Sequence, residues 1–294
     1  MKKKVLILLS TYNGEKYIEE QLESILSQVD VDIDVLVRDD GSTDNTISII
    51  KAYATKYNNV SYILGENVGY AKSFWELLKH SNGYMYYAFS DQDDTWDSNK
   101  IASAIKFLSK ANGPALYTSR VVSVDNEKRI ISENCFKSER ALGIYESFIR
   151  NNIPGCVYVF NNHVRDLAAM YTGYIESHDW AVYIITNIFG IIFYDNNSYI
   201  QYRIHSNNAI GKKNVLGELI IKIRRFMHKS KCTRSNFAKG LIKSYDIKSV
   251  DNELYNNIYF LANYKESWKS KYKLLFNKNF KGLIFKIFVL LERV

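Results

Sequence analysis

Proline is scarce in this 294-residue chain: Pro114 and Pro154 are the only two. Few positions therefore interrupt helices or strands, and no repeat or low-complexity segment is present. Cysteine is almost as rare. Cys135, Cys156 and Cys232 are odd in number, widely spaced and form no Cys-x-x-Cys pair, which argues against a disulfide framework or structural zinc and fits a reducing cytoplasm. Long apolar runs are also missing. Nothing approaches the roughly 18 apolar residues of a membrane span, and Val5 to Leu9, after the basic Met1-Lys2-Lys3-Lys4, is too short for a signal-peptide core. What remains is ordinary globular composition, 47% hydrophobic and 24% charged, with enough length for one large domain and an appendage.

The net charge of +8 is distributed unevenly. Residues 1–210 hold 20 Lys and Arg against 25 Asp and Glu, whereas residues 211–294 hold 19 against 6. A boundary near Gly211 follows, with a tail suited to a negatively charged partner. Within that tail, Leu216, Leu219, Ile220, Ile223 and Phe226 recur at helical spacing beside Lys222, Arg224, Arg225 and Lys229. Phe280, Leu283, Ile284, Ile287, Phe288 and Leu291 repeat the pattern beside Lys278, Lys281, Lys286 and Arg293.

Residues 1–125 alternate short apolar runs with amphipathic ones, the pattern of βαβ units around a mainly parallel sheet. Strands are expected at about 4–10, 33–38, 60–64, 84–89 and 115–124, with helices at about 15–28, 44–57, 70–80 and 98–110. Asn13, Thr43 and Asp97 are the expected helix caps. Beyond residue 126 the pattern predicts helices at 142–150, from 161 and from 178, a strand at 156–160 and a β-ribbon at 191–204.

Asp91-Gln92-Asp93-Asp94 directly follows the apolar run Tyr84 to Ser90. Three carboxylates in four residues repel one another, so a cation among them is the simplest remedy. Hard ions such as Mg²⁺ or Mn²⁺ fit, and they commonly bridge to substrate phosphates. A calcium loop does not fit, because its sixth position is Trp96 rather than Gly and its twelfth is Ala102 rather than Glu.

Other polar motifs fall at the predicted strand ends: Ser10-Thr11-Tyr12-Asn13-Gly14, Arg38-Asp39-Asp40-Gly41-Ser42-Thr43-Asp44 and Glu66-Asn67-Val68-Gly69. With Ser177-His178-Asp179-Trp180 and Tyr202-Arg203-Ile204-His205, they closely resemble the family 2 inverting glycosyltransferases, most of all the bacterial rhamnosyltransferase-like branch. The resemblance covers roughly residues 4–211 and implies a Rossmann-like A-type α/β fold with a mainly parallel sheet and a C-terminal helical extension. It divides the chain into a catalytic domain, 1–211, with a nucleotide-binding half (1–125) and an acceptor half (126–211), and a basic helical region, 212–294.

The same resemblance implies residue roles. Asp40 would accept the N3–H of uracil or thymine, and Thr11, with its neighbours Tyr12 and Asn13, would meet the base; Asp39 assists or orients the turn. The Asp-Asp-Gly-Ser-Thr-Asp run also reads as a tight turn with a helix cap. Asn67 and Gly69 approach the nucleoside, while Lys72 neutralises phosphate or faces solvent. Asp91, beside Gln92, contacts the ribose, Asp93 binds the metal, and Asp94 supports either role. Asp179 is the base that takes the acceptor hydroxyl's proton, although relatives often carry Glu-Asp where this chain has His178-Asp179. His178 helps shape the acceptor site or is a satisfied polar residue, and Trp180 packs on a sugar or in the core. Arg203 reaches the diphosphate and His205 joins the metal.

The implied partners are a nucleoside-diphosphate sugar, dTDP-rhamnose or a UDP-hexose, and a saccharide or lipid-linked acceptor of bacterial surface polysaccharide. The basic tail is expected to meet an anionic membrane surface, to pack on the catalytic domain or to build a homodimer, and no nucleic acid is expected. The expected location is cytoplasmic, with peripheral attachment to the inner face of the membrane through that tail. Two rivals stand beside this reading. A sugar nucleotidyltransferase would carry a Gly-rich basic loop after strand 1, where this chain has Ser-Thr-Tyr-Asn-Gly, and an inactive sugar-binding module would not need both the acidic run and Asp179.

Overall fold

Val5, Ile7, Leu8 and Leu9 have no exposed surface, as expected of a strand covered on both faces at the centre of a parallel sheet. In the computed structural model, which describes residues 3–150, 153–205, 233–292 and 294, they form β1 (Lys3–Thr11). β2 (Val31–Asp39), β3 (Val60–Leu64) and β4 (Tyr86–Ser90) follow, connected by α1 (Ile18–Leu26), α2 (Thr46–Lys56) and α3 (Tyr70–His80). β2 and β4 flank β1, both parallel to it, and β3 extends the sheet beyond β2. The chain therefore reverses its direction of winding between β1 and β4. Open α/β sheets bind ligands in the crevice at the carboxyl ends of such a pair.

After the short β5 (Thr95–Trp96) and α4 (Lys100–Leu108) come β6 (Ala115–Ser119), β7 (Val122–Val124), β8 (Ile130–Ser132) and α5 (Ile144–Ile149). A single 3₁₀ turn, Gly155–Val157, leads into β9 (Val159–Asn161), α6 (Asn162–Met170), α7 (His178–Phe189), β10 (Ile191–Asp195) and β11 (Ile200–Arg203). The main sheet runs β10-β6-β9-β4-β1-β2-β3, with β9 antiparallel to both neighbours, and a smaller sheet runs β5-β11-β7-β8. The strand order and parallel pairing confirm the α/β class.

Two local expectations are corrected. The strand foreseen at 115–124 is two strands in different sheets. Likewise β10 and β11 do not form a ribbon: β10 pairs with β6 in the main sheet, while β11 pairs with β5 and β7 in the small one. The Asp195 carboxylate accepts the Asn197 N–H and Nδ2–H, closing a turn that redirects the chain. The helix caps also differ. Tyr17, Asn45 and Asn99 occupy the cap positions of α1, α2 and α4 without side-chain capping bonds, because Asn13 and Thr43 bond to each other's loops instead.

The chain divides into two compact units, one of Met1–Ala141, Asn151–Ala169 and Ser177–Ile204, the other of Leu142–Arg150, Met170–Glu176 and His205–Val294. Among the described residues the second unit contains α5, α8 (Thr233–Ser244), α9 (Ile247–Val250), α10 (Asn252–Asn263), α11 (Trp268–Leu275) and α12 (Leu283–Leu290). The Asp246, Asp251 and Ser267 side chains each cap a helix by accepting an N–H of its first turn. Tyr145 and Phe148 of α5 pack on Phe280, and Arg234 donates to the Phe148 and Ile149 carbonyls. The helix expected around 216–229 and the boundary at Gly211 lie outside the described residues. No described helix is long and apolar enough to cross a membrane.

Candidate active site

The sequence motifs after β1, β2, β3 and β4 meet along one edge of the sheet. Gln92, just beyond β4, bridges the switch point: its Oε1 accepts from Thr11 Oγ1 at 2.5 Å and from the Tyr12 N–H at 2.8 Å, and its Nε2 donates to the Tyr12 carbonyl. Asn13 joins the first loop to the second. Its N–H donates to Ser42 Oγ, and its Oδ1 accepts the Thr43 N–H at 2.8 Å.

Asp39 and Asp40 are both buried, and both shape the rim. Asp39 accepts the Gly41 and Ser42 N–H groups and the Ser42 hydroxyl. Asp40 accepts Arg38 Nη1 at 2.5 Å and the Val68 and Gly69 N–H groups at 3.0 and 2.9 Å. That last pair tethers the loop after β3, where Gly69 sits at φ 82, a conformation that costs glycine little. Asn67 and Lys72 are exposed on and beside this loop. Arg38 is itself fixed by Ser73 Oγ and the Glu66 carbonyl, so the rim is a closed set of mutual bonds.

The acidic run is built on the opposite principle. Asp94 is buried; its Oδ1 accepts the Arg203 N–H, and its carboxylate also faces the Cys156 thiol. Asp91, Asp94 and Cys156 bring one ligand atom each within 4.8 Å of one another. Asp91 as a whole is only half-buried, but its carboxyl end is enclosed, and burial, then Asp93 and Asp179, push its pKa up to about 7. Burial, Asp93 and Asp91 raise Asp94 well above the usual carboxylate range. These carboxylates fit a hard divalent cation, which would relieve their repulsion. Cys156 is a soft ligand that a hard cation does not prefer over oxygen, and burial with Asp94 and Asp91 raises the pKa of its thiol.

Lys100 closes the bottom of this well. It is 1% exposed, its Nζ lies 3.3 Å from the centre of the Trp96 ring, and that nitrogen has no hydrogen-bond partner among the described residues. Burial lowers its pKa to about 7, opposed by Cys156, Asp94 and Asp91. Lys100 and Cys156 were not singled out by sequence reasoning. One signal was available: Lys100 shares the spacing of Ala104 and Leu108, both buried on α4, so it falls on an apolar stripe.

Asp179 lies in the first turn of α7, half-buried, with Oδ1 accepting the Ser177 hydroxyl and the Trp180 N–H. Its charge raises the pKa of Asp91, so the two share one electrostatic field. Gly155 permits this approach: a Cβ there would lie 2.8 Å from His178 Nε2 and 2.9 Å from Asp179 Cβ.

For His178 and Trp180 the structure favours packing over an acceptor contact, and the contact expected of Arg203 is replaced. His178 is 4% exposed, stacked on Phe74 at 4.0 Å and edge-on to Phe89, with neither ring nitrogen hydrogen-bonded among the described residues. Burial drives its pKa down to about 3, so it is a neutral core ring rather than part of an acceptor surface. Trp180 is buried as well. Arg203, expected at the diphosphate, is 3% exposed; its guanidinium donates to the Asp93 and Asn126 carbonyls and to Glu20, and it lies over Tyr17. With all three nitrogens engaged, it fastens the acidic loop from behind. His205 is half-buried, two residues beyond β11.

A Rossmann-like sheet with an acidic loop at its switch point and a carboxylate at a helix start defines the A-type glycosyltransferase fold. Solved structures agree on that fold: the Staphylococcus aureus protein TarS (1–349, in complex with UDP-GlcNAc) matches 95% of this chain and 77% of its own at TM-score 0.60 and 17% identity. The mannosyltransferase PcManGT of Pyrobaculum calidifontis, in complex with GDP-Man and Mn²⁺, matches 95% and 88% at TM-score 0.53 and 16% identity. The profile of the family "Glycosyl transferase family 2" matches residues 6–166, and the chain belongs to that family. Among its relatives, the dTDP-rhamnosyl transferase RfbG of Shigella flexneri is 33% identical over 219 residues, 69% of this chain and 73% of RfbG. The putative teichuronic acid biosynthesis glycosyltransferase TuaG of Bacillus subtilis is 24% identical over 211 residues, 71% and 82% of the respective chains. The chain is thus a glycosyltransferase of the rhamnosyltransferase-like branch.

Proposed function

We propose that this glycosyltransferase moves a sugar, with inversion, from dTDP-rhamnose or a UDP-hexose to a hydroxyl of a saccharide or lipid-linked acceptor on the cytoplasmic side of a bacterial membrane. The observation that carries the reading is the meeting of the acidic run with Asp179 at the switch point, where Gly155 lies against Asp179 and its neighbour Cys156 within 4.8 Å of Asp91 and Asp94. The likeness to RfbG favours dTDP-rhamnose as the donor. Thr11, Asn13, Asp39, Asp40, Asn67 and Gly69 form the nucleoside side.

Asp91, Asp93 and Asp94 are the residues that would hold Mn²⁺ or Mg²⁺, which when bound offsets charge on the departing diphosphate. The Asp179 carboxylate accepts the proton of the acceptor hydroxyl as that oxygen attacks the anomeric carbon. The bond from this carbon to the diphosphate oxygen breaks, and its electron pair leaves with the nucleoside diphosphate. Attack from the opposite face inverts the centre without an enzyme-bound intermediate.

A thermal-shift screen of nucleotide sugars with Mn²⁺ or Mg²⁺ tests this, since a ligand bound only by the native state raises its stability. The expected result is a shift with dTDP-rhamnose or a UDP-hexose that depends on the ion. A flat response to every nucleotide sugar contradicts the proposal.

A further inference from the structure

Three large aromatic side chains that repeat at helical spacing on α11 and just past its end point outward instead of into a core. Trp268 is 81% exposed, Tyr272 52% and Phe276 71%. They form one ridge: Trp268 and Tyr272 rings lie 6.3 Å apart, Tyr272 and Phe276 4.6 Å. The opposite face is the anchored one, with Ser270 and Leu274 buried. Residues i, i+4 and i+8 on one face would ordinarily be read as core, so their exposure asks for an occupant.

The surrounding charge states which kind. Lys269 and Lys273, each one residue beyond an aromatic, are exposed beside the ridge, as are Lys265 before it and Lys278 after it. Two acids of this unit are already matched: Glu266 pairs with Lys239, and Glu292 with Lys271 at 2.9 Å. The helix packed on α11, α12, adds exposed Ile287 and Leu290, with Leu291 following. Aromatic rings with one polar edge flanked by lysines suit the headgroup boundary of a bilayer, where rings enter the interface and ammonium groups meet anionic lipid.

We propose that the face formed by Trp268, Tyr272 and Phe276, with Lys269 and Lys273, docks the protein on an anionic lipid surface. The inference rests on the proposed function only for its use, which is to bring the enzyme to a lipid-linked acceptor. Binding itself requires no transfer.

The test uses the full chain with vesicles of phosphatidylcholine alone and of phosphatidylcholine mixed with anionic phosphatidylglycerol. Co-sedimentation should occur with the anionic vesicles and weaken with salt. Replacing Trp268, Tyr272 and Phe276 together by Ser should reduce it by about tenfold or more. The pair Lys269→Gln and Lys273→Gln should reduce it about 30-fold, from roughly 1 kcal/mol per lysine near the surface. Brominated acyl chains should quench tryptophan emission in the wild type, because Trp75, Trp96 and Trp180 are buried and only Trp268 can reach them.

The proposal is overturned if the wild type ignores anionic vesicles, or if the triple variant binds as the wild type does. It is also overturned if light scattering shows a two-chain mass for the wild type that falls to one chain in the triple variant, which would assign the face to a second copy. The nucleotide-sugar thermal shift, measured on the same variants, should be unchanged. Its loss in the wild type would contradict the proposed function and leave the vesicle result standing.

Discussion

The rim of the site and its acidic well are neighbours, yet they satisfy their polar groups in opposite ways. On the rim, Asp40 accepts three donors and Arg38 is held by Asp40, Ser73 and the Glu66 carbonyl. In the well, Lys100 Nζ is buried with no hydrogen-bond partner among the described residues, and burial together with like charges raises Asp91 and Asp94. The rim is organised by the protein alone. The well gathers carboxylates that raise one another's pKa, which is where a cation and a diphosphate would gain most.

This contrast is broken most severely by removing one member of the rim's buried ion pair. Asp40→Ala leaves Arg38 uncompensated and should cost about 3–5 kcal/mol of stability in denaturant unfolding. A cost below about 1 kcal/mol would mean that the rim is held from elsewhere. In the well the sign reverses. Asp91 is at about 7 in the folded chain, above its ordinary value near 3.8, so stability is lost as pH rises from about 3.8 to about 7, where only the unfolded chain has given up the proton. Asp91→Asn should therefore stabilise the metal-free protein at pH 8 by on the order of 2–4 kcal/mol, while abolishing the extra stabilisation by Mn²⁺. Lower stability in the absence of metal would contradict the strained well.

A smaller effect separates His178 from both regions. Its folded pKa is about 3, so below its ordinary value of 6.5 the unfolded chain binds a proton that the folded chain refuses, and stability falls with pH. The loss should be about 2 kcal/mol between pH 6.5 and 5. Asp91 works in the opposite direction over the same range, so the informative quantity is wild type minus His178→Phe. That difference should show the slope, and a difference independent of pH would place a proton or a partner on His178.

Much of this was legible in the sequence, because the relevant periods are short. Val5–Leu9 announced a buried parallel strand, and the polar motifs fell at strand ends where a switch point collects them. Asp91 and Asp94 stood out by residue type and spacing and Asp179 by the resemblance, and the structure brings Asp91 and Asp94 into one cluster with Asp179 in the field of Asp91. The misses share a cause. Arg203 and His178 carry functional-looking side chains, but tertiary packing decides whether such groups face a ligand, and it turned one beneath the acidic loop and the other between Phe74 and Phe89. Lys100 was passed over because a lysine on an apolar stripe contradicts the usual burial rule. Trp268, Tyr272 and Phe276 failed in the other direction, since spacing says which residues share a face and not what covers it.

The central claim, inverting transfer with Asp179 as base, is tested most directly by comparing wild type with Asp179→Asn. The comparison measures donor affinity by titration and the anomeric configuration of the product by NMR, with dTDP-rhamnose, Mn²⁺ and a saccharide acceptor. The wild type should give the inverted anomer, and the variant should bind donor almost normally while transfer falls by about 10²–10⁴-fold. A product that retains the donor's configuration, or a variant that turns over at the wild-type rate, would contradict the account.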